Sequence, residues 1–347
     1  MPLVVPDCTV TNSATVQDST RQYKYISDNG LSHSVPDLAS RTSSLLAGAR
    51  VPETPVNIRC PTGIELQARA QSGSGAAGPD GWSSHEIKHL PLETFESLSQ
   101  LFTQFASSGE VPIQLQQARM VCLPKPGKVK NYAVPVDGTR PITVLNVWWR
   151  LWVSTLCQSK GLKAWLKTAL HPSIGAVSNQ DIFENLISIF DHFHQQGFLP
   201  TLDYSKAFDT ISTDMSVSLL DKYGWPPNIT GLLNAVWGSQ NRFIQYDHHT
   251  HSEPLKAHGI LPQGDPLGPI ICSLWVQSGV MSVSTSSRLE AGPSSMQIYL
   301  DDRTCTSSSV QDLFTLKEGW SRWSHSVGLL ENLQKAEVSG VKNSMPL

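Results

Sequence analysis

Phe198-Leu-Pro-Thr-Leu-Asp203-Tyr-Ser-Lys-Ala-Phe-Asp209 is the stretch that decides how this chain folds. A short apolar run ending on an acid reads as a strand that delivers a carboxylate to its own terminus. Met296-Gln-Ile-Tyr-Leu300 repeats the arrangement and runs into Asp301-Asp302. Asp203 and Asp301 stand 98 residues apart, yet two strand ends can converge on one edge of a sheet. Hard carboxylate oxygens held there suit Mg²⁺, and paired divalent ions can clamp the attacking and leaving oxygens of a displacement at phosphorus. An isolated Asp-Asp pair is more often a solvated turn; Tyr299 before it and the second acidic motif reverse that balance. Adjacent strand residues point to opposite faces, so Asp301 and Asp302 are expected to differ in role.

Outward from these strands, helices and strands fail to alternate regularly, which predicts α+β architecture. Gly78-Pro-Asp-Gly81 reads as a turn, followed by a Ser83/Ser84 cap and one helix through Ile87, Leu90, Phe95, Leu98, Leu101 and Phe105. Strand Met120–Leu123, the basic loop Pro124-Lys-Pro-Gly-Lys128 and strand Pro141–Leu145 come next. Val147 to Leu170 has helical spacing, with its tryptophans read as core packing. Helices are expected over 180–195, 213–223, 228–236, from the Gly259–Asp265 loop to about 283, and over 311–326. A hairpin at 242–258 and a last strand near 336–340 complete the pattern. Residues 1–77 are polar, lack a sustained period and end in the run Gln71-Ser-Gly-Ser-Gly-Ala-Ala-Gly78, so they read as a loosely ordered extension and linker.

The 347 residues carry a formal charge of −3. Residues 111–170 hold nine Lys or Arg against Asp137, a net +8, which leaves −11 for the rest. One basic surface for phosphates beside an acidic region for cations fits that asymmetry, as does a merely solvated basic face. Six cysteines without a C-x-x-C pair argue against a zinc ribbon or a disulfide framework. The beginning lacks a basic region followed by an apolar core, and Arg150 splits the most apolar stretch. An intracellular protein without signal peptide or membrane span is expected, nucleus or cytoplasm being left open.

Seven motifs in one order carry a resemblance: Gly78-Pro-Asp-Gly81, Leu123-Pro-Lys-Pro-Gly-Lys128, Arg140-Pro-Ile142, Leu202-Asp-Tyr-Ser-Lys-Ala-Phe-Asp209, Leu261-Pro-Gln-Gly264, Tyr299-Leu-Asp-Asp302 and Gly328-Leu-Leu-Glu-Asn-Leu-Gln-Lys335. From Gly78 to Val341 the chain resembles the reverse transcriptase domain of a non-LTR (LINE-type) retrotransposon. The resemblance implies a polymerase right hand: fingers over 78–197, a palm with an antiparallel sheet and helices over 198–342, a tail over 343–347, and no thumb. It implies an RNA-directed DNA polymerase acting on an RNA template, a DNA primer and dNTPs, with no membrane partner. Asp203, Asp301 and Asp302 would hold two Mg²⁺ ions, with Mn²⁺ as a substitute. Lys335 would serve the leaving pyrophosphate, and Phe208 would pack beneath the sugar and exclude a 2′-hydroxyl. Gln263, Gly264, Arg140 and Lys125 would contact the nucleotide, and Lys128, Lys130 and Arg150 the nucleic acid.

Two residues depart from the family pattern: Asp265 where a small Ser is usual, and Arg303 beside the paired acids, where a cation could compete with metal. Only twelve residues follow Lys335, so the thumb and endonuclease regions are expected on a longer parent polypeptide. A truncated or decayed copy that binds nucleic acid without turnover is the alternative, as is a group II intron-type reverse transcriptase. An RNA-dependent RNA polymerase shares the acids, but Phe208 argues against it.

Overall fold

A computed structural model describes residues 37–127, 138–175, 186–187, 189–191, 198–204, 207–246, 249–256, 259–287, 294–307, 309–332, 335 and 337–340. No helix among them is long and apolar enough to cross a membrane. The strands are β1 (Gln117–Pro124), β2 (Thr139–Leu145), β3 (Phe198–Leu202), β4 (Asn241–Tyr246), β5 (His249–Thr250), β6 (Leu255–Lys256), β7 (Ser294–Tyr299), β8 (Asp302–Ser307) and β9 (Glu337–Gly340). Helices accompany two small sheets, so the domain is α+β. Its two compact units are each gathered from separate stretches and do not divide at 197/198: one holds Arg59–Leu156 and Gly231–Pro266, the other the described parts of 37–58, 157–230 and 267–340.

In the first unit β1 pairs antiparallel with β2 and parallel with β4, which also carries β5 and β6. Ala118, Met120 and Cys122 of β1 are buried in alternation, the period that packs one face of a sheet. The core is aromatic: Phe102 stacks on Trp152 at 5.4 Å, and Trp152 on Trp149 at 5.7 Å. Core packing is therefore the role of Trp149 and Trp152, while Trp148 is half-buried against Trp82. The single helix expected after Ser83 is two, Ser84–Ile87 and Leu92–Ser108, because Pro91 lacks an N–H and takes the N-cap of the second. The helix predicted from Val147 is likewise divided, into Val147–Gln158 and Lys160–Ala169, where the Ser159 side chain accepts from the Leu162 amide.

The second unit is built on an antiparallel sheet of order β7-β8-β3-β9. Helix Gly268–Ser287 buries Ile270, Ile271, Leu274, Trp275 and Val280, and a helix apolar on most sides belongs inside. Helix Leu38–Ala47 packs on it: Ser278 Oγ donates to the Leu45 carbonyl, and Arg41 Nε donates to the Val327 carbonyl at 3.2 Å. Residues 37–77, read from sequence as loose extension, thus hold two capped helices. Asp37 caps Leu38–Ala47, and a Thr62/Glu65 capping box opens Gly63–Gln71. Most of the helix expected over 180–195 lies outside the described residues.

Candidate active site

Strand register brings the acids together. Leu202 of β3 lies opposite Arg303 of β8, so Asp203, the next residue, continues the register towards Asp302. Tyr299 pairs with Asp302, leaving Leu300 and Asp301 as the two-residue turn between β7 and β8. That turn requires a positive φ, and Leu300 adopts +58°. A left-handed conformation costs a side-chain-bearing residue about 1–2 kcal/mol, a strain found typically where geometry serves function. Lys335 Nζ meets Asp203 Oδ2 at 2.5 Å, and the Asp203 carbonyl accepts from the Asn332 amide at 2.9 Å. Asp203, Asp301, Asp302 and Lys335 therefore form one cluster. Asp301 is half-buried and Asp302 exposed, so the adjacent acids do differ. Phe208 is half-buried on the short helix Ala207–Thr210.

Burial lifts the Asp301 carboxyl above its ordinary range, and the charges of Asp302 and Asp203 lift it further. Asp302 is raised by burial and by Asp203, against the pull of Lys335. The Asp203 carboxylate, by hydrogen bonding, holds the Lys335 ammonium above the usual lysine value. Three mutually repelling carboxylates thus surround one ammonium. Among the described residues, however, no group of three or more His, Cys, Asp or Glu side chains is arranged to hold a metal ion. Lys335 supplies the positive charge at Asp203.

The Arg303 side chain turns away from the acids, although its charge still pulls the Asp302 carboxyl down. The residue after Asp302 points to the opposite face of the sheet, and Arg303 is 1% exposed. Its Nη1 meets Glu331 Oε1 at 3.1 Å, and its ζ carbon lies 3.7 Å from the Tyr204 ring centroid. Burial pushes the Tyr204 hydroxyl up to about 12.

The first unit carries the other residues singled out by sequence. The Gln263 carbonyl accepts from the Thr143 amide of β2 at 2.7 Å. Gly264 has φ +129°, and a Cβ there would collide with the Thr143 carbonyl, so only glycine fits. Gln263 thus groups with β2 in the first unit, and the helix after it belongs to the second. Asp265 is a buried anchor: its Oδ2 accepts from Trp149 Nε1 and from Trp237 Nε1, both at 2.9 Å. Arg140 is exposed on β2 opposite Leu123, and the Lys125 amide bonds the Gly138 carbonyl. Residues 123, 125 and 140 thereby share one face of the hairpin end. Lys128 and Lys130 lie outside the described residues.

Arg150 is half-buried and engaged. Its Nη2 donates to the Ala76 carbonyl at 2.6 Å, and Arg119 Nη2 donates to the Ala77 carbonyl. The Gly/Ser run read as a linker is therefore pinned by two arginines, and Asp80 Oδ2 accepts from the Val147 amide just beyond it. Beside the run is a cavity of about 270 Å³ lined by Arg69, Arg150, Ser72, Ser74, Ser84 and Ser154, with no acid in its wall and Gly264 at its edge. Among the described residues the side-chain partners of Arg69 are hydroxyls, Ser154 at 3.2 Å and Ser72 at 3.2 Å. Asp80 belongs to the Gly78–Gly81 turn that the sequence marks, whereas Arg69 and Arg119 were missed because nothing local distinguishes them from surface charges. The apolar period around Arg119 was the only hint that it sits on a strand.

Strand-end acids are thus gathered with a lysine on an antiparallel sheet. The family described as reverse transcriptase (RNA-dependent DNA polymerase) matches residues 123–344, and the chain belongs to it. Among its relatives is the retrovirus-related Pol polyprotein from type-2 retrotransposable element R2DM of Drosophila melanogaster, 26% identical over 80% of this chain. The transposon TX1 uncharacterized 149 kDa protein of Xenopus laevis is 24% identical over 68% of the chain. The retrovirus-related Pol polyprotein from type-1 retrotransposable element R2 of Bradysia coprophila is 21% identical over 79%. Those matches cover 26%, 19% and 31% of the respective relatives. The domain is thus a reverse transcriptase domain whose named relatives come from retrotransposable elements and a transposon.

Proposed function

We propose that the chain extends a DNA primer on an RNA template, joining the primer 3′-hydroxyl to the α-phosphate of a dNTP and releasing pyrophosphate. The observation that carries this is the register of β3 against the β7–β8 hairpin, with Asp203, Asp301 and Asp302 coupled by charge at its end. In this reading the antiparallel sheet is the palm and the mixed sheet with its basic hairpin belongs to the fingers. The relatives' greater length fits a longer parent polypeptide that supplies further regions.

Asp203, Asp301 and Asp302 would hold the divalent ions, Mg²⁺ or in its place Mn²⁺. Bound there, such ions supply Lewis acidity and charge neutralisation at the phosphate. The protein's own residues do the remainder. Lys335, kept protonated by Asp203, offsets charge on the departing pyrophosphate. Phe208 walls off a 2′-hydroxyl, and Arg140 with Lys125 binds the triphosphate. Gln263 and Gly264 contact nucleotide or template through a loop that β2 holds in place. Lys128, Lys130 and Arg150 contribute to the phosphate-binding surface, Arg150 beside the basic cavity.

Primer extension on an RNA template with Mg²⁺ and dNTPs tests the proposal, with the Asp301→Ala/Asp302→Ala variant alongside. Extension by the native chain and none by the variant is the expected result. RNA binding without extension by either would instead identify a non-catalytic copy.

A further inference from the structure

Behind the acidic cluster lies a second cluster on the opposite face of the sheet. Each of its members is tied in sequence to one residue of the first: Tyr204 follows Asp203, Arg303 follows Asp302, and Glu331 precedes Lys335 by four residues. Tyr204 and Glu331 face each other in an antiparallel bridge. The Arg303 side chain is 0% exposed and that of Glu331 11%, with 3.1 Å between Nη1 and Oε1. Glu331 Oε2 accepts from Ser321 Oγ at 2.6 Å, and the Tyr204 hydroxyl lies 3.1 Å from Ser324 Oγ. Arg303 also approaches Trp320, 5.1 Å from the ring centroid. Its Nε and Nη2 are buried and have no hydrogen-bond partner among the described residues. Among the described residues, Glu331 and two aromatic faces locate the guanidinium.

We propose that Arg303 is a positioning residue, which with Glu331 and Tyr204 fixes the spacing of Asp203, Asp302 and Lys335 on the other face. This rests on the reading of those three as the reacting cluster. A buried ion pair gains little stability over well-packed apolar side chains, because desolvation offsets the attraction. What it supplies is direction: a planar guanidinium meets a carboxylate in few orientations and stacks flat on an aromatic ring. Here that direction joins β8 to the segment bearing Lys335 and clasps the residue after Asp203. A shift of the pair moves all three acid-face residues together.

The test uses the full chain and the variants Arg303→Met, Glu331→Gln and Arg303→Met/Glu331→Leu. Three quantities are read: Mn²⁺ binding by electron paramagnetic resonance, single-nucleotide incorporation (kcat and KM for dNTP), and melting temperature. Each single variant is expected to lose about tenfold or more in Mn²⁺ affinity and in kcat, with KM changed by no more than about twofold. The double variant, with the charges gone and the volume filled, is expected to regain the native melting temperature but neither Mn²⁺ affinity nor kcat. Recovery of all three together would show a merely structural pair and overturn the proposal, as would a single variant that binds Mn²⁺ like the native chain. A native chain that binds Mn²⁺ but extends no primer would sink the polymerase reading alone, the positioning claim still being decided by Mn²⁺ binding. A native chain that binds no Mn²⁺ would overturn both.

Discussion

The two faces of one sheet edge contrast sharply. On one face Asp203, Asp301 and Asp302 crowd their charges at partly solvated positions, and Leu300 holds a strained turn. On the other, Arg303, one residue along β8 from Asp302, pairs with Glu331 of the segment that leads to Lys335, in the dark between Tyr204 and Trp320. The pleat alone separates them. Reactive charge and structural charge thus sit on consecutive residues and face different surroundings, and a substitution on either face should leave a distinct signature.

The largest effect is expected on the acidic face. Asp301→Asn or Asp302→Asn should abolish incorporation, yet each should raise the melting temperature at neutral pH. Both carboxyls are lifted in the folded state, so the stability they contribute is full below the unfolded carboxyl value and is lost as pH rises through the folded one. Removing the charge restores that loss, by about 1 kcal/mol or less after solvent screening. The gain should vanish below about pH 4, where aspartate is neutral in the unfolded chain too. Melting curves across that range check the sign.

On the hidden face the expectation is opposite. Arg303→Met strands a buried carboxylate and should cost about 3–5 kcal/mol in a denaturant titration. Asp265→Ala, in the first unit, leaves two buried indole N–H groups without their acceptor, and should cost about 2–5 kcal/mol. Leu300→Gly is milder: relief of the positive φ, about 1–2 kcal/mol, is offset by the backbone entropy of glycine, about 0.5–1 kcal/mol. Its melting temperature should therefore hold or rise slightly while incorporation slows, because a looser turn carries Asp301 less rigidly. The smallest effect is expected at the basic cavity, where Arg69→Ala should weaken RNA binding and lower its salt slope by about 1.

Sequence patterning makes the acidic face legible and the hidden face nearly mute. Strand ends, the paired acids and Lys335 can be read because apolar runs stop where carboxylates begin, and strand pairing then brings them together as expected. Arg303 reads from sequence as a threat to the site, since its partner is 28 residues away and nothing local marks Glu331 as buried. Asp265 is opaque in the same manner: its partners Trp149 and Trp237 come from distant helices. The helix Leu38–Ala47 is hidden by its Ser/Thr content, its apolar residues being too few to announce a period. The break at Pro91 was available from proline chemistry alone.

One paired measurement decides the matter most directly: single-turnover incorporation of one dNTP on an RNA-templated primer, read beside the melting temperature, for the native chain and for Asp301→Asn. The account predicts incorporation by the native chain only, and the higher melting temperature for the variant. Incorporation that survives the substitution, or a melting temperature that falls with it, would contradict the assignment of this face to chemistry rather than to stability.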